Sequence, residues 1–512
     1  MNPRSSKAFK FFKKYHKWLS VVFGLFIVMF SLSGIVLNHR SLFSSVDVKR
    51  SGLPKVYNYN NWNLAAVKGA IDLQGDSSLI YGNIGIWLTI DNYKTFTEFN
   101  SGFPEGVDNR KVSCILQTKN GQLFSGTYFG LFKYDYSLAK WMKVSLPVHN
   151  QRVVDLLEQE GSLFVMTRSF LLKKSLGSSV HGFEKIILPP PENYNNKTGL
   201  FKTLWVIHSG EILGVAGKLF VDLIGILFIF LTFTGLIYFL FPQWIKKRRR
   251  RERKVKSMVW LNRFSLRWHN KIGWWLGVFL IITTLTGMFL RPPLLIPIAS
   301  TEVGKIPWSI LDNDNAWYDK FRGFVFDPES SAFIIGTTNG FYFADRSFKN
   351  ELVPVKYHPP VSVMGINVFQ PAGKGTYLVG SFSGFYHWSS NTGYVEDILA
   401  QKPYVAASSS GSPFGANTVA GFLYDSDELP YYFDYGRGAQ PVLHNFPFTE
   451  MPQNIIDRSP MSLWNLALEI HTARIYGVLI GDFYILLIPL FGLIVLFILI
   501  SGFYMYLKVY RK

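Results

Sequence analysis

Four stretches of this chain stay apolar for long enough to cross the roughly 30 Å of hydrocarbon in a bilayer: 18–37, 219–241, 272–290 and 483–507. An even number of crossings puts both ends on one side and leaves two long segments, about 41–207 and 297–470, together on the other. A composition that is 48% hydrophobic over 512 residues fits this division into membrane and water-facing parts. The first run is too long for the apolar part of a signal sequence. No small-x-small cleavage site follows "SGIVLNHR", so it is read as a retained helix.

The formal charge of +19 would suit a nucleic-acid binder if it were spread over a folded surface. It is not. Residues 1–17 hold six Lys/Arg and no acid, 242–271 hold twelve basic residues and one acid, and 508–512 hold three basic residues. The rest of the chain is close to neutral, so the charge is juxtamembrane. By the positive-inside rule these segments face the cytoplasm and the two long loops face outward. Basic blocks touching helix ends are matched by anionic lipid headgroups, and no nucleic-acid partner is expected.

The helices repeat. "HKWLSVVFGLFIVMFSLSGIVLNH" and "HNKIGWWLGVFLIITTLTGMFLRP" share a histidine (His16, His269), a glycine eight residues on (Gly24, Gly277) and another eighteen on (Gly34, Gly287). Segments two and four correspond through Gly225 and Gly235 with Gly492 and Gly502, which leaves His208 and His471 four residues, about one turn, out of register. Two copies in the same orientation imply a pseudo-twofold axis along the membrane normal.

The loops repeat as well. "SLIYGNIGIWLTID", "GQLFSGTYFGLFKYD" and "GSLFVMTRSFLLKK" recur in the first, and "AFIIGTTNGFYFAD", "TYLVGSFSGFYHWS" and "NTVAGFLYD" in the second. Gly336 and Gly380 lie 44 residues apart, a blade-like period. Three clear units per loop are too few to close a ring. The expected fold class is therefore a membrane α-helical bundle of four helices in two parallel repeats, plus an all-β extracytoplasmic region, β-propeller-like and built from both loops. Two separate β-sandwich-like domains are the alternative. The expected division is a basic N-terminus (1–17), helix one (18–40), first β half (41–207), helix two (208–241), basic loop (242–271), helix three (272–296), second β half (297–470), helix four (471–507) and C-terminus (508–512).

Through "HKWLSVVFG…SLSGIVLNH", "HSGEILGVAG…TGLIY", "HNKIGWWLG…TLTGMFL" and "HTARIYG", the membrane part resembles the PepSY-associated transmembrane helix family. That resemblance implies a bacterial inner-membrane protein of iron uptake, of a family that includes reductases of iron–siderophore complexes with b-type haem held between histidines. The positions carried over are His16, His39, His208, His269 and His471. Where the first copy has His39, the second has Pro292 beside Arg291, and neither loop shows a PepSY domain. The loop repeats resemble those of bacterial sensor proteins.

A non-covalent bis-histidine haem needs two imidazoles facing across a cleft, small residues to make room, and cations for the propionates. The only cysteine, Cys114, is too little for a C-x-x-C-H attachment, an iron–sulfur cluster or an internal disulfide. The expected assignment is one haem on His16 and His269 at the cytoplasmic edge, and one on His39 with either His208 or His471 at the outer edge. Gly34 and Gly287 give room, and Arg40, Lys218, Arg291 and Arg474 are outer-side candidates for the propionates. Lys218 and Asp222 are expected to neutralise one another. Histidines trimming the interface, with glycines that only let helices pack, are the competing reading.

No P-loop, dinucleotide fingerprint or H-E-x-x-H motif is present in the sequence, so electrons would have to come from a partner such as quinol or a flavoprotein. Two functions remain: an inner-membrane haem protein reducing a ferric siderophore or other ferric chelate in the periplasm, with both termini cytoplasmic, or a non-enzymatic anchored binding or sensing protein.

Overall fold

The computed structural model describes residues 6–73, 77–177, 182–192, 194–362, 365–405 and 415–510. They divide into two compact units: one formed by 1–43, 196–313 and 463–512, the other by 44–195 and 314–462. The described helices are α1 Lys7–Asn38, α2 Leu200–Ser209, α3 Gly214–Arg249, α4 Lys256–Phe289, α5 Gln453–Asp457, α6 Leu463–His471, α7 Gly477–Ile480 and α8 Tyr484–Tyr510. All but α5 belong to the first unit.

Helices α1, α3, α4 and α8 lie in the four spans long and apolar enough to cross a membrane. They pack in a square in which α1 touches α3 and α8, and α4 touches α3 and α8. At the start of α1, Ser6 Oγ accepts the Phe9 N–H, which removes one orphan donor of the first turn. At the end of α3, Lys246, Lys247, Arg248 and Arg249 meet the negative pole of the helix.

The second and fourth segments are not single helices. Gly210, at φ +77°, ends α2 in the left-handed conformation, and Ala473, at φ +59°, stands between α6 and the chain that leads into α8. Short α2 packs on α4 and short α6 on α1. Only residues 210–213 separate α2 from α3, whereas α6 reaches α8 through 472–483. That longer connection absorbs the four-residue register difference. A two-stranded ribbon, Lys197–Gly199 with Glu302–Gly304, also belongs to the helical unit. The β unit therefore starts and stops inside the expected limits of 41–207 and 297–470.

In the β unit six antiparallel meanders follow one another. Sheets 1 to 6 run over 69–98, 112–144, 153–186, 321–354, 366–403 and 419–441. The first strand of each lies against the first strand of the next, and that of sheet 6 lies against that of sheet 1. The repeated threonine–glycine motif is a hairpin device: Thr127 Oγ accepts the Phe129 N–H and donates to the Gly130 carbonyl, and Thr337 does the same with Asn339 and Gly340. Gly130 (φ +138°) and Gly340 (φ +119°) occupy backbone that side chains rarely adopt.

An apolar cluster fills each seam between neighbouring sheets. Phe164 and Met166 of sheet 3 meet Phe333 and Ile335 of sheet 4, and Ile80 and Trp87 of sheet 1 meet Tyr431 and Phe433 of sheet 6. Those two seams join the first loop to the second, so the loops make one unit and not two sandwiches. Phe433 is fully buried. Phe433→Ala is expected to lower the stability of the β unit by about 3–5 kcal/mol, the usual range for emptying a packed aromatic site, measured as a shift in denaturant midpoint.

Asp155, in the first strand of sheet 3, turns its carboxylate inward, where its two oxygens accept the Phe324 and Leu156 N–H groups. Burial outweighs these donors and pushes its pKa up to about 7. A carboxyl that binds its proton more tightly folded than unfolded contributes stability in full below about pH 4, and that contribution is lost as pH rises through 7. The unfolding midpoint of the β unit is thus expected to fall between pH 4 and 7, and Asp155→Asn to flatten that slope.

Candidate functional site

Four histidines of the helical unit meet in two pairs. His16 of α1 and His269 of α4 have ring centroids 6.2 Å apart, with planes at 89°. His208 at the end of α2 and His471 at the end of α6 have centroids 5.9 Å apart, with planes at 52°.

All four rings are held the same way. His16 Nδ1 lies 2.9 Å from the Ile498 carbonyl and 3.1 Å from Ser501 Oγ of α8. His269 Nδ1 lies 3.0 Å from the Leu231 carbonyl and 3.1 Å from Thr234 Oγ1 of α3. His208 Nδ1 lies 2.9 Å from the Thr283 carbonyl of α4, with Thr286 Oγ1 at 3.5 Å. His471 Nδ1 lies 3.0 Å from both the Phe30 carbonyl and Ser33 Oγ of α1. In each case the hydroxyl donates to the same carbonyl. A carbonyl can only accept, so every Nδ1 carries the proton and every Nε2 keeps a lone pair.

The residue after each hydroxyl is glycine, and the ring's Cε1 fills the space its side chain would take. A Cβ at Gly502, Gly235, Gly287 or Gly34 would stand 3.1, 3.3, 2.7 or 3.2 Å from Cε1 of His16, His269, His208 or His471. The pattern is thus hydroxyl–glycine on each long helix: Ser33-Gly34, Thr234-Gly235, Thr286-Gly287 and Ser501-Gly502. Gly277 has another task, since a Cβ there would run into the Phe503 ring.

The arrangement differs from the expected one at several residues. Gly34 and Gly287 serve the histidines of α6 and α2, not His16 and His269 on their own helices. Gly235 and Gly502, which in the sequence only align the second and fourth segments, cradle those two. His39 pairs with neither His208 nor His471. Its Nε2 stands 2.5 Å from Asp222 Oδ2, and Asn38 Nδ2 donates to Asp222 Oδ1 at 2.9 Å. The physical reason is the carboxylate: Asp222, buried in the second span, accepts the His39 Nε2–H, and a nitrogen that donates to a carboxylate has no lone pair to offer a metal. Lys218 accordingly faces Glu211 at 3.5 Å instead of Asp222.

Of the four cations expected near propionates, Lys218 is thus taken, and the Arg40 guanidinium covers the Trp464 ring at 3.9 Å. Arg291 and Arg474 remain close enough to repel each other. Glu469 holds one arm of Arg474 at 2.5 Å, yet both Nε atoms are buried without a hydrogen-bond partner. An anion would satisfy them.

Does the donor set fit a metal? Among the described residues no three His, Cys, Asp or Glu side chains come together, so a protein-only metal cage has no ligands here. Two collinear imidazoles on one metal, with bonds of about 2 Å and about 1 Å more to each ring centre, place the centroids about 6 Å apart. Both pairs have that spacing. Since Gly34 touches His471 and sits eighteen residues along α1 from His16, the pairs lie about 27 Å apart along the helix axis.

The family model described as "PepSY-associated TM region" matches residues 1–241 and again 180–508. No curated protein matches the chain in sequence. Among solved structures it is similar to the extracellular domain of a hybrid two-component system from B. thetaiotaomicron, at 11% identity over 76% of this chain and 40% of that one, with TM-score 0.35. It is also similar to PorZ, a surface component of the type-IX secretion system of Porphyromonas gingivalis (11%, 73% and 38%, TM-score 0.33). A streptogramin B lyase matches at 9% identity, over 68% of this chain and 95% of that one, with TM-score 0.23. The chain spans about two fifths of the length of the first two.

Proposed function

Because the chain belongs to the PepSY-associated transmembrane family, we propose that its bundle carries electrons across a bacterial inner membrane on two b-type haems, one on His16 and His269 and one on His208 and His471. A haem at each pair would supply reversible one-electron chemistry. The chain's own residues do the rest. Each Nδ1–H, donated to a carbonyl and a hydroxyl, fixes ring and tautomer and makes Nε2 a stronger donor. Glycine beside each ring lets the imidazole stand close to the neighbouring helix. Arg291 and Arg474 would take the propionates at the second pair. The apolar faces of α1, α3, α4 and α8 keep water from the interval between the pairs.

The observation that carries this reading is the fourfold identity of the histidine settings. Histidines that merely trim an interface have no cause to share one tautomer, one carbonyl–hydroxyl clamp and one glycine. We place the basic segments in the cytoplasm and the β unit outside, where a ferric siderophore or similar chelate would accept electrons delivered by quinol or a flavoprotein. We read the six sheets, with first strands adjoining in cyclic order, as a six-bladed propeller.

The test is the absorbance of the purified full-length protein. A reduced b-type spectrum with two haems per chain is expected. A folded, colourless preparation from haem-replete cells overturns the proposal and leaves the second reading, an anchored receptor whose ligand is held by the β unit.

A further inference from the structure

Three arginines gather where sheets 3 and 4 adjoin. Five of the six first strands carry a bulge near their start, and the bulged residues are Ser113, Val154, Arg322, Asn367 and Ala420. A bulge takes a residue out of the ladder and re-aims its side chain, which is why bulges recur beside binding sites. Only Arg322 among the five is charged. Its Nη1 donates to the carbonyls of Asp319 at 3.0 Å and Phe321 at 2.7 Å, while its Nε is buried with no partner. Gly365 leaves it room, since a Cβ there would stand 2.7 Å from Arg322 Cδ.

The neighbours of Arg322 make its position costly. Burial first and Arg168 second bring its pKa down to about 9; Arg152 adds to this, and Asp319 opposes it. Arg168, itself only 18% exposed, pairs with Asp319 at 3.0 Å. The Arg152 guanidinium sits over the Tyr128 ring at 5.0 Å. Two further guanidiniums and one carboxylate therefore act on the charge of Arg322. The apolar part of the seam between sheets 3 and 4 is closed separately, by Phe164, Phe324 and Phe333.

Half-buried guanidiniums that repel one another, with a donor still unspent, are the signature of a place built for an oxyanion, which the arginine fork binds in two-point fashion. We propose that this cluster binds a small ligand bearing carboxylate or phosphate groups on Arg322, Arg168 and Arg152. The site lies wholly within the β unit and does not depend on what the histidines hold.

The experiment uses full-length protein in detergent, titrated calorimetrically with citrate and, separately, inorganic phosphate. Saturable binding of at least one is expected, and the one that binds names the group recognised. Losing one charge-assisted contact of about 1.5 kcal/mol or more should weaken it about tenfold or more in Arg322→Gln and in Arg168→Gln. The haem spectrum should be unchanged in both variants. Should Arg322→Gln fail to fold, Arg168→Gln gives the same reading. Absence of binding by both probes, or equal binding by parent and variants, overturns the site.

Discussion

On the proposed two-haem reading, His471→Ala is expected to leave one haem per chain instead of two, and His269→Ala to do the same through the other pair. The double variant should hold none. Each substitution removes one of two imidazoles whose centroids stand 5.9 or 6.2 Å apart, so a single ring remains to face the metal. Because the pairs lie about 27 Å apart along the bundle, the two losses should be independent and their spectra should add to the parent's. His39→Ala is the decisive companion. It breaks the contact with Asp222 and should cost stability, but it should keep both haems, with pyridine haemochrome titration giving the count.

Gly287→Ala should be the most damaging alanine substitution among the four glycines that cradle the histidines. A Cβ there falls 2.7 Å from His208 Cε1, closer than real Cβ atoms approach a neighbour, so the ring must leave its clamp on Thr283 and Thr286. At Gly502, Gly34 and Gly235 the same Cβ would stand 3.1, 3.2 and 3.3 Å away, where a shift of a few tenths of an ångström suffices. The expected result is loss of the haem on His208 and His471 in Gly287→Ala, with the other pair retained. Gly34→Ala and Gly235→Ala should keep both haems with altered spectra. Equal behaviour of all four variants would show that the glycines serve helix packing alone.

Much of the bundle was legible in the residues themselves. The spacing of His16, Gly24 and Gly34 against His269, Gly277 and Gly287 exposed the repeat, and the four long apolar runs exposed the helices that could span a membrane. The pairing of His208 with His471 was not legible, because a helical period describes neighbours on one continuous cylinder. Gly210 and Ala473 interrupt the second and fourth segments, and past those breaks the angular count from His208 or His471 no longer holds. Nor does a period say which neighbouring helix a glycine faces, so Gly34 was grouped with His16 when it meets His471. One signal was available: every one of the four glycines follows Ser or Thr, in "SLSG", "TFTG", "TLTG" and "LISG". In the β unit the strands and turns announced themselves, but the seams that join the two loops depend on side chains 169 or 353 residues apart, such as Phe164 with Phe333 and Ile80 with Phe433.

Each histidine pair draws one ring from either half of the chain, and every clamp is borrowed from the other half: α8 holds His16, α3 holds His269, α4 holds His208 and α1 holds His471. Neither half, translated alone, owns a finished centre. A single repeat would need a second copy to build the same two sites across the dyad, and carrying both in one chain makes that concentration-dependent encounter intramolecular. The halves are not identical: the second has Pro292 at the position of His39 and Pro489 at that of Asp222, so that contact belongs to one half alone.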